Sequence, residues 1–121
     1  MKVAVTIWKG RISPVADLSQ ELLVVDVGSQ SILSRHHERF ENDSPFHRAK
    51  KLDDLGVKTL ICGAISNFYG ALVEGYGIRL IPFVHGQADG VLDAFLKNVL
   101  IDPKFVMSGY LPACNKRGRT M

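Results

Sequence analysis

One stretch in the middle of the sequence decides the fold: Leu55-Gly56-Val57-Lys58-Thr59-Leu60-Ile61-Cys62-Gly63-Ala64-Ile65-Ser66. Gly56 is typical of the residue that ends a helix, because glycine adopts positive φ without strain. The apolar run Val57–Ile61 predicts a strand, and the small residues that follow Cys62 predict a tight turn. Ser66 is a preferred N-cap for a second helix. The stretch therefore predicts a helix–strand–helix unit, which is typical of an α/β domain.

The residues before this unit predict three strands and a helix. Two apolar, β-favouring runs cover Val3 to Trp8 and Leu22 to Val27, and a turn at Gly28-Ser29 joins the second run to a polar strand, Ser31 to Phe40. A polar strand suits a sheet edge, because charged side chains there discourage further pairing. Ser44-Pro45 then predicts the start of a helix. The predicted apolar face of this helix holds Phe46, Ala49, Leu52 and Leu55.

The residues after the unit complete the pattern. Ile78 to Val84 predicts a fifth strand at the opposite edge, because Pro82 cannot donate to a ladder. A last helix follows and is predicted to stop at Pro103. The helix that Ser66 begins is predicted to turn Phe68, Leu72 and Val73 inward, and the last helix Val91, Leu92, Phe95, Leu96 and Val99.

The element order βββαβαβα predicts one α/β domain with a single mixed five-stranded sheet flanked by helices. Strand–helix–strand crossovers make the third, fourth and fifth strands parallel, and the right-handed rule restricts their order. We place this domain at residues 1–103 and expect a flexible basic tail at residues 104–121. The domain carries 11 Lys/Arg and 12 Asp/Glu, a net of −1, so the tail's four basic residues produce the whole net charge of +3.

The composition indicates an ordinary soluble globular protein. The chain has 121 residues, 46% hydrophobic and 22% charged, and no apolar run approaches the roughly 20 residues that span a bilayer. We expect no signal peptide, a cytoplasmic location, and reduced thiols at Cys62 and Cys114. The charge balance outside the tail gives no reason to expect a nucleic-acid partner or a membrane partner.

The stretch from Leu55 to Ser66 resembles the central signature of the dinitrogenase iron–molybdenum cofactor biosynthesis family. Ala71-Leu72, Gly77-Ile78 and the segment from Gly86 to Phe95 continue the match, and Met1 to Trp8 fits the family's opening strand. The resemblance implies a ribonuclease-H-like fold with sheet order 3-2-1-4-5. It also implies binding of iron–sulfur or molybdenum-containing clusters during cofactor assembly.

Two segments differ from what members of this family commonly carry. Ser13-Pro14 is followed by Val15-Ala16-Asp17, where a His-Phe-Gly-Arg-like segment is common. The segment Glu41 to His47 stands where many members have a loop rich in glycine and histidine. The resemblance therefore implies the fold more firmly than it implies any one set of ligands.

The predicted topology gathers the candidate site residues at one rim of the sheet. Open α/β sheets bind ligands at the carboxyl ends of strands, near the point where the strand order reverses. Here that point lies between the first and fourth strands, next to Cys62, and the rim also collects the loop leading to His47 and the loop at His85. A thiolate is a soft ligand for iron–sulfur and molybdenum–sulfur species, and a helix N-terminus just beyond Cys62 is expected to lower its pKa.

The remaining candidates surround this thiol. Gly63, Ala64 and Ser66 form a turn whose N–H groups can face an anion such as phosphate, molybdate or an anionic cluster. His85 and His47 are candidate metal ligands with Cys62. Each residue also has a purely structural interpretation: a small core residue for Cys62, a tightly packed turn for the glycine segment, and solvated surface side chains for the two histidines.

The sequence favours a carrier for an iron–sulfur or molybdenum-containing cluster or its precursor over an enzyme. Two cysteines cannot supply four thiolates, so a cluster must bring its own sulfides, use histidines, or bridge the two chains of a homodimer. A nuclease is excluded because the first strand has no carboxylate to hold metal ions. A Cys–His hydrolase using Cys62 and a cofactor-free interaction or regulatory module are the alternatives, and cofactor-assembly proteins are the expected partners.

Overall fold

A computed structural model of the protein describes residues 1–29, 31–41 and 43–97. The predicted domain end at residue 103 and the tail 104–121, with Val99, Pro103 and Cys114, lie outside the described residues. None of the helices in the described part is long and apolar enough to cross a membrane. The elements are β1 Lys2–Trp8, β2 Arg11–Ile12, a 3-10 turn Ala16–Leu18, β3 Glu21–Val27, β4 Ile32–Arg39, α1 Pro45–Asp54, β5 Val57–Ile61, α2 Asn67–Gly75, β6 Arg79–Ile81 and α3 Ala88–Leu96.

The strands form one mixed sheet in the order β4-β3-β1-β5-β6, with the short strand β2 pairing with β1. The pairs β1–β3 and β3–β4 are antiparallel, whereas β1–β5 and β5–β6 are parallel. Strands β1, β4, β5 and β6 therefore point the same way. This confirms the α/β class, the ribonuclease-H-like arrangement, the sheet order 3-2-1-4-5 and the two predicted edges. Strand β2 was not predicted.

Two apolar layers cover the sheet. Helices α1 and α2 pack on one face, with Leu52 and Tyr69 in their core, and α3 packs on the other face with Val91. Successive residues of β1 alternate between the two layers, because side chains of a strand point to opposite faces. The continuous apolar run that predicted β1 follows from this burial on both faces.

Two side chains predicted to face the core are on the surface instead. Phe46 is 59% exposed and Phe68 is 54% exposed, and their rings contact each other edge-on at 5.3 Å between centroids. The helices bury the residues two positions further on, Arg48 in α1 and Gly70 in α2. Residues two apart lie on opposite sides of a helix, so burying Arg48 and Gly70 turns both phenylalanines outward.

The last strand is shorter than predicted. Strand β6 ends at Ile81 rather than at Val84. Pro82 has no N–H to donate, and Phe83 adopts a positive φ of 62°, which no regular strand contains. The chain then continues beside the end of β5 as an irregular segment that leads to α3.

Candidate functional site

The carboxyl ends of β5 and β6 are joined by a short main-chain ladder. The N–H of Cys62 donates to Ile81 O at 3.1 Å, and the N–H of Val84 donates to Cys62 O at 3.0 Å. The N–H of Phe83 donates to Gly63 O at 2.9 Å. The segment that carries His85 is therefore held directly beside the turn that carries Cys62.

A second segment lies across this turn. Residues 13–19, which we call the strap, pair with it through two bonds: Ala64 N–H to Pro14 O at 2.9 Å and Ala16 N–H to Ala64 O at 2.7 Å. Gly63 lies directly beneath the strap, and a Cβ at this position would come within 2.4 Å of Ser13 O. The glycine therefore allows the two backbones to approach this closely.

The N-terminus of α2 is capped by an acidic residue from the strap. The carboxylate of Asp17 accepts the Ser66 N–H at 2.8 Å and the Ser66 hydroxyl at 2.6 Å. The same hydroxyl oxygen accepts the Tyr69 N–H at 3.2 Å, which confirms Ser66 as the N-cap. The N–H groups of Ser66 and Ala64, which were expected to face an anion, are therefore already bonded within the chain, to Asp17 and to Pro14 O respectively. Asp17 was missed because its partner lies 49 residues away in the sequence.

A buried arginine anchors the strap from below. The Arg48 side chain is only 1% exposed, and its guanidinium donates to the carbonyl oxygens of Ala16 and Ser19. It also forms an ion pair with Asp43 at 3.2 Å and lies over the Phe40 ring at 4.7 Å. A charge this deeply buried requires such partners, so Arg48 links the strap to helix α1.

The Cys62 thiol is fully buried in the same apolar cluster as Ala16 of the strap. Burial, with a smaller contribution from the nearby negative charge of Asp17, raises its pKa to about 12. The expectation that the α2 N-terminus lowers this pKa is therefore wrong. The helix end is already satisfied by the Asp17 carboxylate, and the apolar surroundings disfavour the thiolate.

This burial predicts a pH-dependent stability. The unfolded thiol ionises near its ordinary pKa of 9.0, whereas the folded thiol keeps its proton to about pH 12. Between these values the unfolded state binds fewer protons, so the free energy of unfolding should fall with rising pH by about 1.4 kcal/mol per pH unit. Urea unfolding between pH 9 and 10.5 measures this slope. The slope should be smaller in Cys62→Ala, and equal slopes would contradict the assignment.

The two candidate histidines lie apart from the thiol in different surroundings. His85 is exposed at the rim, beyond the segment that pairs with Cys62. His47 is exposed on α1 and lines a cavity of about 280 Å³ with Phe40, Arg48 and Lys51. Within residues 1–29, 31–41 and 43–97, no three His, Cys, Asp or Glu side chains are grouped so as to hold a metal ion. Cys62, His85 and His47 thus do not form a preassembled metal centre.

Solved structures share this fold. The crystal structure of PH0822 superposes with a TM-score of 0.79 at 17% identity, covering 90% of this chain and 96% of that chain. A protein of Methanocaldococcus jannaschii described as a “putative dinitrogenase” superposes with a TM-score of 0.68 at 19% identity, covering 82% of this chain and 90% of that chain. A Thermotoga protein described as a “putative NifB protein” of the DUF35 family superposes with a TM-score of 0.61 at 16% identity, covering 90% of this chain and 98% of that chain.

No protein-family model matches the sequence, and no curated protein matches it. At identities below 20%, the structural likeness shows a common fold. That fold is the one implied by the resemblance of the Leu55 to Ser66 stretch to dinitrogenase cofactor biosynthesis proteins.

Proposed function

We propose that this chain is a binding protein of metallocofactor assembly, which carries an iron–sulfur or molybdenum-containing cluster, or a precursor of one, as its cargo. The observation that carries the proposal is the position of Cys62. It lies at the carboxyl end of β5, where the strand order reverses beside β1, and its main chain is bonded to the segment leading to His85. Open α/β sheets bind ligands at such points. The fold shared with proteins named for dinitrogenase and NifB supports the same role.

In this proposal the cargo contacts the turn formed by Cys62, Gly63, Ala64 and Ser66, together with His85. Cys62 and His85 are the proposed metal ligands, with His47 as a further ligand from α1. The chain has two cysteines, and a self-sufficient iron–sulfur site needs four ligands. These donors therefore do not fit a resident cluster, but they fit a preformed cluster that brings its own sulfides.

The buried thiol makes cargo binding depend on pH. A cysteine binds metal as the thiolate, so metal binding must displace the Cys62 proton. Because burial raises the pKa of Cys62, binding through this residue should strengthen as the pH rises from 7 to 9. Equal affinities at pH 7 and pH 9 would contradict binding through the Cys62 sulfur.

We propose that the protein is not an enzyme. A Cys–His hydrolase needs a reactive thiolate close to a general base. Burial raises the pKa of Cys62 and shields its sulfur from solvent, which makes this thiol a poor nucleophile. The expected partners are other cofactor-assembly proteins, and a homodimer would allow two chains to share one cluster.

Anaerobic reconstitution tests the carrier proposal. The purified protein is incubated with iron and sulfide, and separately with tetrathiomolybdate, and then examined by visible absorption and metal counting after gel filtration. We expect a protein-bound charge-transfer band that weakens in Cys62→Ala and in His85→Ala, whereas His37→Ala on the exposed edge strand β4 serves as a matched control. Absence of bound metal in both incubations would contradict the proposal.

A cofactor-free interaction or regulatory module is the second candidate, and the Asp17 cap favours it. Asp17 and the strap backbone already occupy the N–H groups of Ala64 and Ser66, and Cys62 is buried. On this alternative the strap is a permanent part of the fold. Wild-type protein that binds no metal, and whose Cys62 resists alkylation until the protein unfolds, would support the module over the carrier.

A further inference from the structure

Two hydroxyl groups are buried in the core without a hydrogen-bond partner in the part of the chain that the structure describes. Thr6, Cys62 and Tyr69 are each fully buried. Neither Thr6 Oγ1 nor the Tyr69 hydroxyl has a partner among the residues that the structure describes. Buried polar groups are usually paired, because an unpaired one loses its hydration without compensation. Two unpaired donors beside a thiol therefore require an explanation.

The three side chains share one side of the sheet. The β1–β5 register pairs Ala4 with Leu60 and Val5 with Ile61, so Thr6 and Cys62 are the next neighbours along the two strands. Thr6 lies two positions after Ala4, and Cys62 two positions after Leu60, so both side chains point to the same face of the sheet as Ala4 and Leu60, which pack against α1 and α2. Tyr69 projects from the first turn of α2 into the same core.

Two charged side chains, Arg48 and Asp17, lie near this group. Burial raises the pKa of the Tyr69 hydroxyl, the Arg48 guanidinium opposes that rise, and Cys62 and Asp17 add to it. The group thus combines a soft sulfur ligand, two hydroxyl donors without acceptors, and a buried guanidinium. Donors and positive charge of this kind match the acceptor atoms of an anion, and the thiol matches a thiophilic metal.

The strap that covers the group is attached mainly by polar contacts. Of residues 13–19, only Ala16 buries an apolar side chain, whereas Val15 and Leu18 are exposed. Its attachments include the Ser13 N–H to Thr6 O bond at 2.9 Å, the two bonds to Ala64, the Arg48 contacts, and the Asp17 carboxylate on Ser66. Segments with few buried apolar contacts open at low free-energy cost. Release of the Asp17 contact would also free the Ser66 N–H for another acceptor.

We propose that Thr6, Cys62 and Tyr69 form a covered ligand site for a small thiometallate anion, and that Asp17 is a latch that the entering anion displaces. The ligand class rests on the proposed carrier function. On a thiomolybdate, the Cys62 sulfur forms a bond to molybdenum as one molybdenum–sulfide bond breaks. The thiol proton leaves with that sulfide as hydrosulfide, and no electron is transferred. The hydroxyls of Thr6 and Tyr69 donate to the remaining sulfido ligands.

Substitutions that remove only the hydroxyls test the ligand site. Thr6→Val and Tyr69→Phe delete groups that have no partner among residues 1–29, 31–41 and 43–97. Both variants should therefore unfold at the same urea concentration as wild type or higher. Titration with tetrathiomolybdate, followed by absorption, should show about tenfold weaker binding in each. Thr59→Val is the matched control, because Thr59 is buried on the opposite face of the sheet beside Val3. Wild-type affinity in Thr6→Val and Tyr69→Phe would overturn the site.

Alkylation of Cys62 tests the latch without any cargo. In a Cys114→Ser background, iodoacetamide should modify Asp17→Ala about fivefold faster than the parent, the factor expected from losing one helix cap. Asp89→Ala is the control, because this exposed carboxylate pairs with Arg35 away from the strap. An unchanged alkylation rate in Asp17→Ala would overturn the latch.

The outcomes separate this site from the carrier proposal. Wild-type binding that is lost in His85→Ala but kept in Thr6→Val and Tyr69→Phe would leave the carrier standing and overturn the covered site. Absence of tetrathiomolybdate binding in wild type and in Asp17→Ala would overturn the covered site, even if the reconstitution with iron and sulfide gave a bound cluster. Weaker binding in both hydroxyl variants with faster alkylation in Asp17→Ala supports the site and its latch together.

Discussion

Gly63→Ala should lower the free energy of unfolding by about 3 kcal/mol, the upper part of the range for overpacking a closed site. The added Cβ would lie 2.4 Å from Ser13 O and 2.5 Å from Pro14 O. These are backbone atoms of the strap, which cannot rotate away as the end of a flexible side chain can. Either the strap moves away from Ala64 or the end of β5 is displaced.

Urea unfolding monitored by circular dichroism measures this loss, and Gly75→Ala provides the matched control. Gly75 is the last residue of α2, and a Cβ there meets no atom within 4 Å. Alanine at this position should leave stability unchanged or raise it slightly, because glycine has the lower helix propensity. Equal effects of the two substitutions would contradict the close approach of the strap to Gly63.

Arg48→Met should lower the free energy of unfolding by about 2 to 3 kcal/mol, the upper part of the range for leaving a buried hydrogen-bond acceptor without its donor. Methionine keeps much of the volume and the contact with Phe40 but removes the guanidinium. The carbonyl oxygens of Ala16 and Ser19 then lose this donor in a buried position. The cost arises from these carbonyls more than from the exposed partner Asp43, because a surface carboxylate regains water.

Lys50→Met is the control for this substitution. Lys50 is on the same helix and pairs with Asp54 at 3.1 Å, but both side chains are exposed. Its removal should produce little measurable change, since exposed ion pairs contribute little. A comparison of the two denaturation midpoints is sufficient. If Arg48→Met were as stable as Lys50→Met, the strap would not depend on the buried guanidinium.

Most of the fold follows from local sequence signals. The apolar runs of β1, β3 and β5, Gly56 after α1 and the Ser66 cap of α2 are each encoded within a few residues. The two edges follow as well, since a charged β4 and a proline after β6 both disfavour further pairing. The right-handed crossover rule then restricted the possible orders of these strands, and the family resemblance implied the order that the structure shows.

The sequence was less informative about which helix faces are buried. Phe46 and Phe68 satisfy the apolar spacing, yet both are exposed, because α1 buries Arg48 and α2 presents Gly70 to Leu80. The apolar spacing compares only the side chains of one helix with each other. It therefore cannot show that the strap needs the buried Arg48 guanidinium, or that α2 approaches β6 closely through Gly70.

The candidate site divides in the same way. By itself the sequence determined that Cys62 directly follows a strand and that Ser66 begins a helix, because both depend on neighbouring residues. The position of that strand at the reversal of the sheet order was implied by the family resemblance. Only the tertiary structure decided that the strap covers this turn, that Asp17 caps α2, and that burial raises the pKa of Cys62. Those features depend on contacts across more than 40 positions, 48 for Ala16 with Ala64 and 49 for Asp17 with Ser66, and on exclusion of water. Both arise only when the whole sheet and its helices have assembled.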